Sequence, residues 1–349
     1  MASASAAGAG DSARDQSNIE LRPYGFDLVL DTALTQEQFL QGVREYNERL
    51  LYTVDEREDS CVFTSKDDTV SYRKIEDKNA GNFGSVSVYT DPDGNRVAIK
   101  KITFKGRIPF QTINFIRECI IQIILAEISR RHNRLTLGVP ALYKLGVSES
   151  GKEGFIVSEF MENTLYNLVL TKDNDEKDSI IPDALLQIAD ILDFFEQTLR
   201  FNHRDMKTDN VMYTMVDGRP IYRLIDFGMS CLTWNQLSID TTIVPYFYCF
   251  KEGRDLGRLM YEFIIHKRPI SERLKEWIIG LHLAPDETIW LNSSRYFNTH
   301  NTPQASPQRL TESIKAFVAK PAAQGGYTRK RKHKARSKLR KHKRTQKAQ

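Results

Sequence analysis

Apolar positions follow a two-residue period in one part of the chain, where they predict strands. Residues 85–89 alternate between polar and apolar side chains, and residues 96–100 contain a short apolar run. Between them lies the pair Asp93-Gly94, which is typical of a hairpin turn. Residues 155–157 (Phe-Ile-Val) indicate a further, buried strand. The region from about residue 71 to residue 101 is therefore expected to be rich in strands.

Elsewhere the apolar positions follow a helical period. Residues 112–130 are predicted to form a helix, because isoleucines at positions 113, 116, 120, 124 and 128 fall on one stripe. Helical patterns also cover residues 182–200 and 255–266. A strand-rich region followed by a helix-rich region predicts an α+β molecule with two lobes.

A further amphipathic helix is predicted near the N-terminus, over residues 35–51. Thr35 and Gln38 have the spacing of a capping box, and apolar residues from Phe39 to Leu50 share one face. This face fits packing against a neighbouring lobe, and the alternative is a helix that binds a partner.

Composition limits the class of protein. The chain has 349 residues, of which 40% are hydrophobic and 27% charged, a balance typical of globular proteins. No apolar run is long enough for a membrane-spanning helix, and the N-terminus does not resemble a secretory signal. The cysteines are scattered and no Cys-x-x-Cys pair occurs, so we expect neither a zinc ribbon nor a disulfide framework, and a reducing compartment fits best; they are Cys61, Cys119, Cys231 and Cys249.

The net charge of +5 is unevenly distributed along the chain. Residues 329–349 contain 12 Lys and Arg and no acidic residue, so the rest of the chain is mildly acidic. Composition and pattern together divide the chain into six segments. These are a disordered N-terminus (1–18), an extension with a helix (19–70), a strand-rich lobe (71–161), a short helical lobe (162–296), a polar and loosely packed extension (297–328) and a disordered basic tail (329–349).

Two neighbouring motifs in the strand-rich lobe can bind phosphate. Residues 79–86 (Asn-Ala-Gly-Asn-Phe-Gly-Ser-Val) contain glycines that let backbone N–H groups approach phosphate oxygens. A plain hairpin loop explains this motif equally well. Lys100 ends the run Val97-Ala98-Ile99, where it either points into a cleft beneath the glycines or is a solvated strand end. Its expected counter-ion is Glu118, and the rival is Glu127 on the same helix.

The strongest motif is residues 203–210, His-Arg-Asp-Met-Lys-Thr-Asp-Asn. Phosphoryl transfer needs a group that accepts a hydroxyl proton, a cation for the phosphate and oxygen ligands for magnesium. Asp205, Lys207 and Asn210 supply these within one short loop, and an ordinary charged turn is the alternative. Residues 224–228 follow as Leu-Ile-Asp-Phe-Gly, in which a short strand delivers the carboxylate of Asp226.

In this order, the four motifs resemble those of the eukaryotic-type Ser/Thr protein kinases, over about residues 71–266. The resemblance implies a kinase fold that uses ATP and Mg²⁺ and acts on protein substrates. It implies that Asp205 is the catalytic base, that Lys207 lies near the γ-phosphate, and that Asn210 and Asp226 hold magnesium. It also implies a Lys100–Glu118 pair at the α- and β-phosphates.

The nucleotide-binding residues follow from the same resemblance. The glycine loop, with Asn79 in place of the first glycine, would cover the phosphates, and residues 157–161 resemble the hinge between the lobes. Ser158 would be the gatekeeper, whose small size predicts extra room behind the adenine. The complete set implied for the nucleotide is Asn79, Gly81, Gly84, Val86, Ala98, Lys100, Ser158, Glu159 and Met161.

The chain departs from the family pattern after Asp226. No Ala-Pro-Glu motif follows, and Val244-Pro245-Tyr246 stands in its place. Asp255 is either buried beneath the catalytic loop or an exposed helix cap. In the family, an arginine such as Arg204 often pairs with a phosphorylated residue. The candidates for that modification are Thr233, Ser238, Thr241 and Thr242.

These departures keep three functions open. The sequence favours an active protein kinase specific for Ser/Thr, on the form of the loop around Lys207. The alternatives are a small-molecule kinase of the same fold and a pseudokinase scaffold that binds nucleic acid or virion components. Residues 329–349 are expected to bind nucleic acid or an acidic surface, to act as a nuclear address or only to aid solubility. With this tail the chain resembles kinases of large DNA viruses, which implies an intracellular location, cytoplasmic or nuclear, or packaging in a virion.

Overall fold

The structure is a computed structural model, and it describes most of the chain. The described residues are 18–45, 51–81, 84–104, 108–132, 138–241, 249–265, 270–283, 296–297 and 300–319. The predicted disordered N-terminus up to residue 17 and the basic tail 329–349 lie outside them, as do Asn82, Phe83, Thr242 and the Val244-Pro245-Tyr246 segment.

Seven strands of the first half close into a barrel in the order β3-β4-β5-β6-β7-β9-β8. They are β3 (Thr53–Glu56), β4 (Ser60–Thr64), β5 (Thr69–Gly81), β6 (Gly84–Thr90), β7 (Arg96–Thr103), β8 (Leu142–Ser148) and β9 (Glu153–Glu159). Neighbouring strands are antiparallel except for β3 and β8, which are parallel. The turn at Asp93-Gly94 joins β6 to β7, as predicted. Because β3 and β4 belong to this barrel, the strand-rich half begins before the predicted boundary at residue 71.

The two faces of β7 serve different purposes. Val97 and Ile99 point into the barrel, where they pack with Phe155 and Val157 of β9. Successive side chains of a strand point to opposite faces. Ala98 and Lys100 therefore lie on the outer face, toward the second half of the molecule.

A short N-terminal unit precedes the barrel and packs against it. It consists of β1 (Ile19–Glu20), β2 (Val29–Leu30) and α1 (Gln36–Arg44). Thr35 and Gln38 form the predicted capping box, whereas the helix ends at Arg44 and not at residue 51. Phe39 and Val43 are fully buried in the chain's own core, which favours the packing role over a partner-binding one.

The helix α2 (Ile108–Arg131) crosses from the barrel to the second half and is slightly longer than the predicted 112–130. Its isoleucine stripe is buried in the main core at Ile116, Ile120, Ile124 and Ile128. Burial of each such side chain stabilises the fold by roughly 1.5–3 kcal/mol. The helix is therefore held rigidly behind the outer face of β7, which positions Glu118.

The second half is mainly helical, with short hairpins around the catalytic motifs. Its elements are β10 (Asn163–Thr164), α3 (Leu165–Leu170), α4 (Asn174–Leu199), β11 (Val211–Val216), β12 (Arg219–Leu224), β13 (Cys231–Trp234), β14 (Leu237–Asp240), α5 (Arg254–Ile265), α6 (Glu272–Gly280) and α7 (Pro307–Ala319). Strands β10, β11 and β12 form one antiparallel sheet, and β13 and β14 form a separate hairpin. The motif of residues 203–210, called the catalytic loop below, lies between α4 and β11.

Helix α4 begins eight residues before the predicted start at residue 182. Asp173 caps it, since its side chain accepts from the N–H of Glu176 and the Glu176 side chain accepts from the N–H of Asp173. Pro182 lies inside the helix. The sequence interpretation took this proline as the first residue of the helix, but the capping box starts it two turns earlier.

The predicted loose extension 297–328 contains a packed helix. Leu310, Ile314 and Phe317 of α7 are buried, and the helix lies against α4. The ring of Phe317 stacks on Trp277 at 4.7 Å between ring centroids. The polar composition obscured an apolar stripe of period 3.6, which is sufficient to dock a short helix.

The structure contains one disulfide that the sequence did not indicate, between Cys231 and Cys249. They are 18 residues apart in sequence, and the fold brings them together at the two ends of the segment that contains β13 and β14. Cys61 and Cys119 are buried free thiols.

The described part of the chain contains no helix with the length and apolar character needed to cross a membrane.

Candidate active site

Lys100 of β7 forms the centre of the site. Its Nζ donates to Glu118 Oε1 at 2.7 Å and to Asp226 Oδ1 at 3.3 Å. These partners come from α2 and from the segment after β12, so a single ammonium joins the barrel half to the helical half. The predicted Lys100–Glu118 pair is confirmed, and the alternative of a solvated strand end is excluded.

The rival counter-ion, Glu127, lies elsewhere on α2. Its carboxylate accepts from the hydroxyl of Tyr24 at 2.8 Å and from Arg130 at 2.6 Å. Glu127 therefore anchors the N-terminal unit to α2. Glu118 is nine residues away, or two and a half turns of helix, on the part of α2 that faces β7.

Neighbouring charges determine whether Lys100 and Asp226 are ionised. Burial lowers the pKa of the Lys100 ammonium, but the charges of Glu118 and Asp226 outweigh burial and raise it overall. Burial raises the pKa of Asp226, and Lys100 and His203 lower it by more. Lys100 is therefore cationic and Asp226 anionic at neutral pH, as binding of phosphate and of a metal ion requires.

Gly228 gives these groups the room that they need. A Cβ atom at this position would lie 3.3 Å from Glu118 Oε2 and 3.6 Å from Asp226 Oδ1. A larger residue would crowd the Glu118 carboxylate, which would have to shift by a few tenths of an ångström. The glycine after Asp226-Phe227 is thus explained by close approach to the charged cluster.

The catalytic loop brings together the three side chains predicted from its motif. Lys207 Nζ donates to Asp205 Oδ2 at 2.8 Å, and Asn210 Nδ2 donates to the same oxygen at 3.1 Å. Asn210 also donates to the backbone carbonyl of Asp205 at 2.9 Å. Asp209, between Lys207 and Asn210, is exposed and points away from this group.

Asp255 supports this loop from below. It is fully buried, and its carboxylate accepts from the backbone N–H groups of His203 at 2.7 Å and Arg204 at 2.8 Å. The alternative of an exposed helix cap is excluded. His203 Nε2 lies 2.8 Å from the carbonyl oxygen of Ile225, which ties the catalytic loop to the strand that delivers Asp226.

Two residues of α5 contact the loop and were not predicted. Arg258 Nη2 donates to Asp205 Oδ1 at 2.6 Å, and Arg258 Nη1 donates to the carbonyl oxygen of Arg204. Glu262, one turn further along, accepts from the backbone N–H of Thr208. Arg258 and Glu262 have the i,i+4 spacing of one helix face, but the sequence does not indicate what that face contacts.

Arg204 is paired with a carboxylate of its own chain. Its Nη1 and Nη2 donate to Asp240 Oδ1 and Oδ2, both at 2.8 Å. Of the four predicted modification sites, Thr241 is buried and its hydroxyl donates to the Ser230 carbonyl at 2.9 Å. Ser238 is exposed and Thr233 half-buried, both on the β13–β14 hairpin.

The glycine motif lies in the turn between β5 and β6. Asn79 pairs with Val86 and Gly81 with Gly84 across the hairpin, and Val86 pairs with Lys100 on its other side. Gly84 has a φ of 147°, and a Cβ there would overlap the carbonyl oxygen of Lys101. The described part of the motif therefore forms the ends of two paired strands, in which position 84 requires a glycine and Val86 is the cross-strand neighbour of Lys100.

The hinge segment is the end of β9. Ser158 lies directly opposite Ala98, and Glu159 lies opposite Val97. The Glu159 N–H donates to the carbonyl oxygen of Ala141 at 2.8 Å, and its carboxylate pairs with Arg223. Met161 is buried. The structure brings Ala98 and Ser158 together on the face that carries Lys100, which is the predicted wall for an adenine ring.

Asn210 and Asp226 fit a hard divalent cation. Carboxylate and amide oxygens are the ligands that Mg²⁺ prefers, and it usually takes one or two carboxylates plus phosphate oxygens and water. The described residues contain no group of three or more His, Cys, Asp or Glu side chains that could hold a metal ion.

Comparison with known proteins gives the family. The family model described as protein kinase domain matches residues 72–252, just over half of the chain. The serine/threonine-protein kinase PknA of Nostoc sp. is 27% identical over 164 residues, which are 45% of this chain and 27% of that protein. Serine/threonine-protein kinase C of Synechocystis sp. is 28% identical over 163 residues, which are 45% of this chain and 29% of that protein. The matched segment is thus less than a third of the length of these relatives.

Among solved structures, vaccinia related kinase 3 is similar with a TM-score of 0.47 and 12% identity, over 82% of this chain and 96% of that one. The family match covers the glycine hairpin, Lys100, Glu118, the catalytic loop and Asp226. The order of these motifs along the chain therefore agrees with the family model. The chain belongs to the protein kinase family.

Proposed function

We propose that the chain is an active protein kinase that transfers the γ-phosphate of ATP to Ser or Thr hydroxyls of protein substrates. The observation that carries the proposal is the contact of Lys100 Nζ with both Glu118 and Asp226. Phosphoryl transfer in this family needs that lysine–glutamate pair and the metal-binding aspartate in place together.

Each charged side chain has a role in this proposal. Lys100 binds the α- and β-phosphates, and Glu118 holds its ammonium in place. Asp205 orients the acceptor hydroxyl and takes its proton, while Lys207 beside it neutralises the transferring phosphate. Asn210 and Asp226 would hold magnesium, which neutralises phosphate charge when bound. Ala98, Ser158, Glu159 and Met161 would line the adenine site under the glycine hairpin.

The Ser/Thr preference is supported by Lys207, which lies 2.8 Å from Asp205, and by the serine/threonine kinases among the relatives. The intact set of Lys100, Asp205, Asn210 and Asp226 argues against the pseudokinase alternative. An intracellular location and an acidic partner for the tail 329–349 stay predictions, as does the resemblance to kinases of large DNA viruses.

The test is transfer from radiolabelled ATP to protein acceptors and, in parallel, to small metabolites. We compare the wild type with Asp205→Asn and with Asp209→Asn, an exposed aspartate of the same loop. We expect label on Ser or Thr of proteins, a loss of roughly 100-fold or more in Asp205→Asn and little change in Asp209→Asn. Label on metabolites alone would favour the small-molecule kinase. Nucleotide binding without transfer would favour the pseudokinase.

A further inference from the structure

The last residue of β14, Asp240, faces the catalytic loop. Its two carboxylate oxygens accept from the two terminal nitrogens of Arg204, both at 2.8 Å. A bidentate arginine–carboxylate pair is among the strongest hydrogen-bonded contacts in proteins and fixes both partners in orientation. The Arg204 side chain is only 3% exposed and that of Asp240 is 32% exposed. A buried guanidinium without an anionic partner would be costly.

Arg204 directly precedes Asp205, the proposed catalytic base. Its backbone has a φ of 65°, a conformation that costs energy and persists only where the surroundings impose it. Asp255 holds its N–H, and Arg258 binds both its carbonyl oxygen and Asp205 Oδ1. The Asp240 carboxylate restrains the side chain of Arg204, so it adds a further restraint on the strained backbone that continues directly into Asp205.

Residue 240 also contacts the other half of the site. The carbonyl oxygen of Asp240 accepts from Arg117 Nη1 at 3.0 Å. Arg117 immediately precedes Glu118, which holds Lys100. One residue therefore links the loop of the proposed base to the helix that positions the phosphate-binding lysine.

The hairpin that presents Asp240 is firmly attached. Cys231 exchanges two backbone hydrogen bonds of 3.0 Å with Asn202, directly before the catalytic loop. The Thr241 N–H and hydroxyl both donate to the Ser230 carbonyl. The Gln36 side chain of α1 accepts from the Ser238 N–H and donates to the Ser238 carbonyl. The placement of Asp240 thus follows from the fold and needs no added group.

We propose that Asp240 is a positioning residue for phosphoryl transfer, and that its carboxylate supplies from within the chain the negative charge that Arg204 requires. This inference rests on the proposed kinase function. It replaces the expectation that a phosphorylated Thr233, Ser238, Thr241 or Thr242 pairs with Arg204. Transfer is then independent of covalent modification of the hairpin.

The first experiment is steady-state kinetics of Asp240→Asn, Asp240→Glu and Ser238→Ala. Asp240→Asn keeps size and backbone, and with it the carbonyl contact to Arg117, but removes the charge that faces Arg204. We expect its kcat to fall at least tenfold while KM for ATP changes less than about twofold. Asp240→Glu should restore most of kcat, and Ser238→Ala, on the exposed side of the same strand, should match the wild type.

A cycle with Arg204→Gln separates positioning from loss of structure. If Asp240 acts through Arg204, the double variant should lose no more activity than the worse single variant, because both changes remove one interaction. Thermal unfolding and fluorescent-nucleotide binding show whether each variant folds. If Asp240→Asn does not fold, the test uses Asp240→Glu, whose kcat should stay close to that of the wild type because it keeps the carboxylate.

The second experiment is treatment of the wild type with a phosphatase, followed by mass spectrometry of residues 230–242. The expected result is an unchanged rate with no phosphate on this segment. A wild-type kcat in Asp240→Asn, or a rate that falls on dephosphorylation of the hairpin, overturns this inference and leaves the kinase function in place. Absence of transfer in the wild type to every acceptor overturns the kinase function, and this inference with it.

Discussion

Two residues of the site lie in the left-handed backbone region that side chains rarely adopt. They are Arg204, with a φ of 65°, and Asp226, with a φ of 66°. Neither is glycine, so each conformation costs of order 1–3 kcal/mol and must be held by its neighbours. Asp255 holds Arg204, and Lys100 holds Asp226. The strain therefore lies at Asp226 itself and directly beside the proposed base, Asp205.

Replacement of Lys100 should separate its role from that of its neighbour, Lys101. Lys100→Met removes the ammonium that joins Glu118 to Asp226, and we expect kcat/KM for ATP to fall roughly 100-fold. Lys101→Met is the matched control, because Lys101 lies on the opposite face of β7 and pairs with Glu56 and Glu153. Its kcat/KM should change less than threefold. Equal losses in the two variants would contradict the assignment of Lys100.

Removal of the Asp255 carboxylate should reduce stability more than the replacement of an exposed aspartate does. Asp255→Ala leaves the buried N–H groups of His203 and Arg204 without their acceptor, a loss of about 3 kcal/mol in the free energy of unfolding. Urea denaturation measures it. The control is Asp209→Asn, which should change the free energy by less than about 0.5 kcal/mol. A small effect in Asp255→Ala would mean that other groups hold the loop.

At this scale, the sequence predicts those residues that stand in short, ordered motifs. Lys100, Glu118, Asp205, Asn210 and Asp226 were proposed in this way, and the structure places Lys100 against Glu118 and Asp226, and Asn210 against Asp205. Asp240, Arg117 and Arg258 were missed, because their roles depend on long-range contacts with the catalytic loop and its hairpin. Asp240 ends a stretch of alternating residues that suggests a strand, but no local pattern shows that Arg204 is its partner.

Among the elements, α4 carries a carboxyl group in an unusual setting. Glu196 is buried near the end of the helix, and within the described residues its Oε1 has no hydrogen-bond partner. Burial, together with the negative charges of Asp255, Asp193 and Glu252, raises the pKa of Glu196 to about 9. The group is therefore protonated in the folded state at neutral pH and ionised in the unfolded state.

Because the folded state holds this extra proton, a rise in pH should lower the free energy of unfolding. Between the ordinary pKa of glutamate and about 9, the folded state binds the extra proton, so a rise in pH favours unfolding. Glu196→Gln should remove this dependence. Across this pH window, the free energy of unfolding of the variant should rise relative to that of the wild type by up to about 1.4 kcal/mol for each pH unit. Below the window the two proteins should show no such difference. Denaturation at pH 5 and pH 8 measures the difference.

The control for this effect is Asp175→Asn, which changes an exposed carboxylate in the first turn of α4. Its difference from the wild type should be the same at both pH values. If the curves of Glu196→Gln and the wild type run parallel, Glu196 is ionised in the folded protein and this assignment is wrong.

Helix α7 should stabilise the helical half, although its sequence suggested a loose extension. Leu310 is buried against α4, so Leu310→Ala should lower the free energy of unfolding by about 2–4 kcal/mol. Val318 on the same helix is 56% exposed, and Val318→Ala should have little effect. Thermal or urea unfolding compares them. Similar effects of the two changes would show that α7 does not pack as described.

The elements were predicted well where a period of two or 3.6 residues was long and uninterrupted. The strands β6, β7 and β9 and the helix α2 are such cases. The start of α4 was placed too late because the capping box at Asp173 was not recognised. Helix α7 was missed because its apolar stripe is short and lies among polar residues. Strands β3 and β4 were missed because they are short and their barrel partners are distant in sequence.

For the whole molecule, the site is the place where the barrel and the helical half meet. The barrel supplies Lys100 and the glycine hairpin, and the helical half supplies Asp205, Asn210 and Asp226. The N-terminal unit adds a brace, since Tyr24 binds Glu127 of α2 and Gln36 binds the β13–β14 hairpin. The sequence predicted two lobes, but it did not show that the N-terminal unit touches both.

This arrangement predicts how nucleotide affects the stability of the entire chain. A ligand held by both halves in the folded state, and absent from the unfolded state, stabilises the fold by about 2.7 kcal/mol at 100 times its Kd. ATP with magnesium should therefore raise the melting temperature of the wild type, and chelation of magnesium should reverse most of the shift.

Asp226→Asn should lose the magnesium-dependent part of this shift, because it removes the carboxylate that would hold the ion. Asp205→Asn should keep the full shift without transfer, since its carboxylate faces the acceptor. A shift that is equal in Asp226→Asn and the wild type, with and without magnesium, would place the metal away from Asp226, and the charged cluster would then need another explanation.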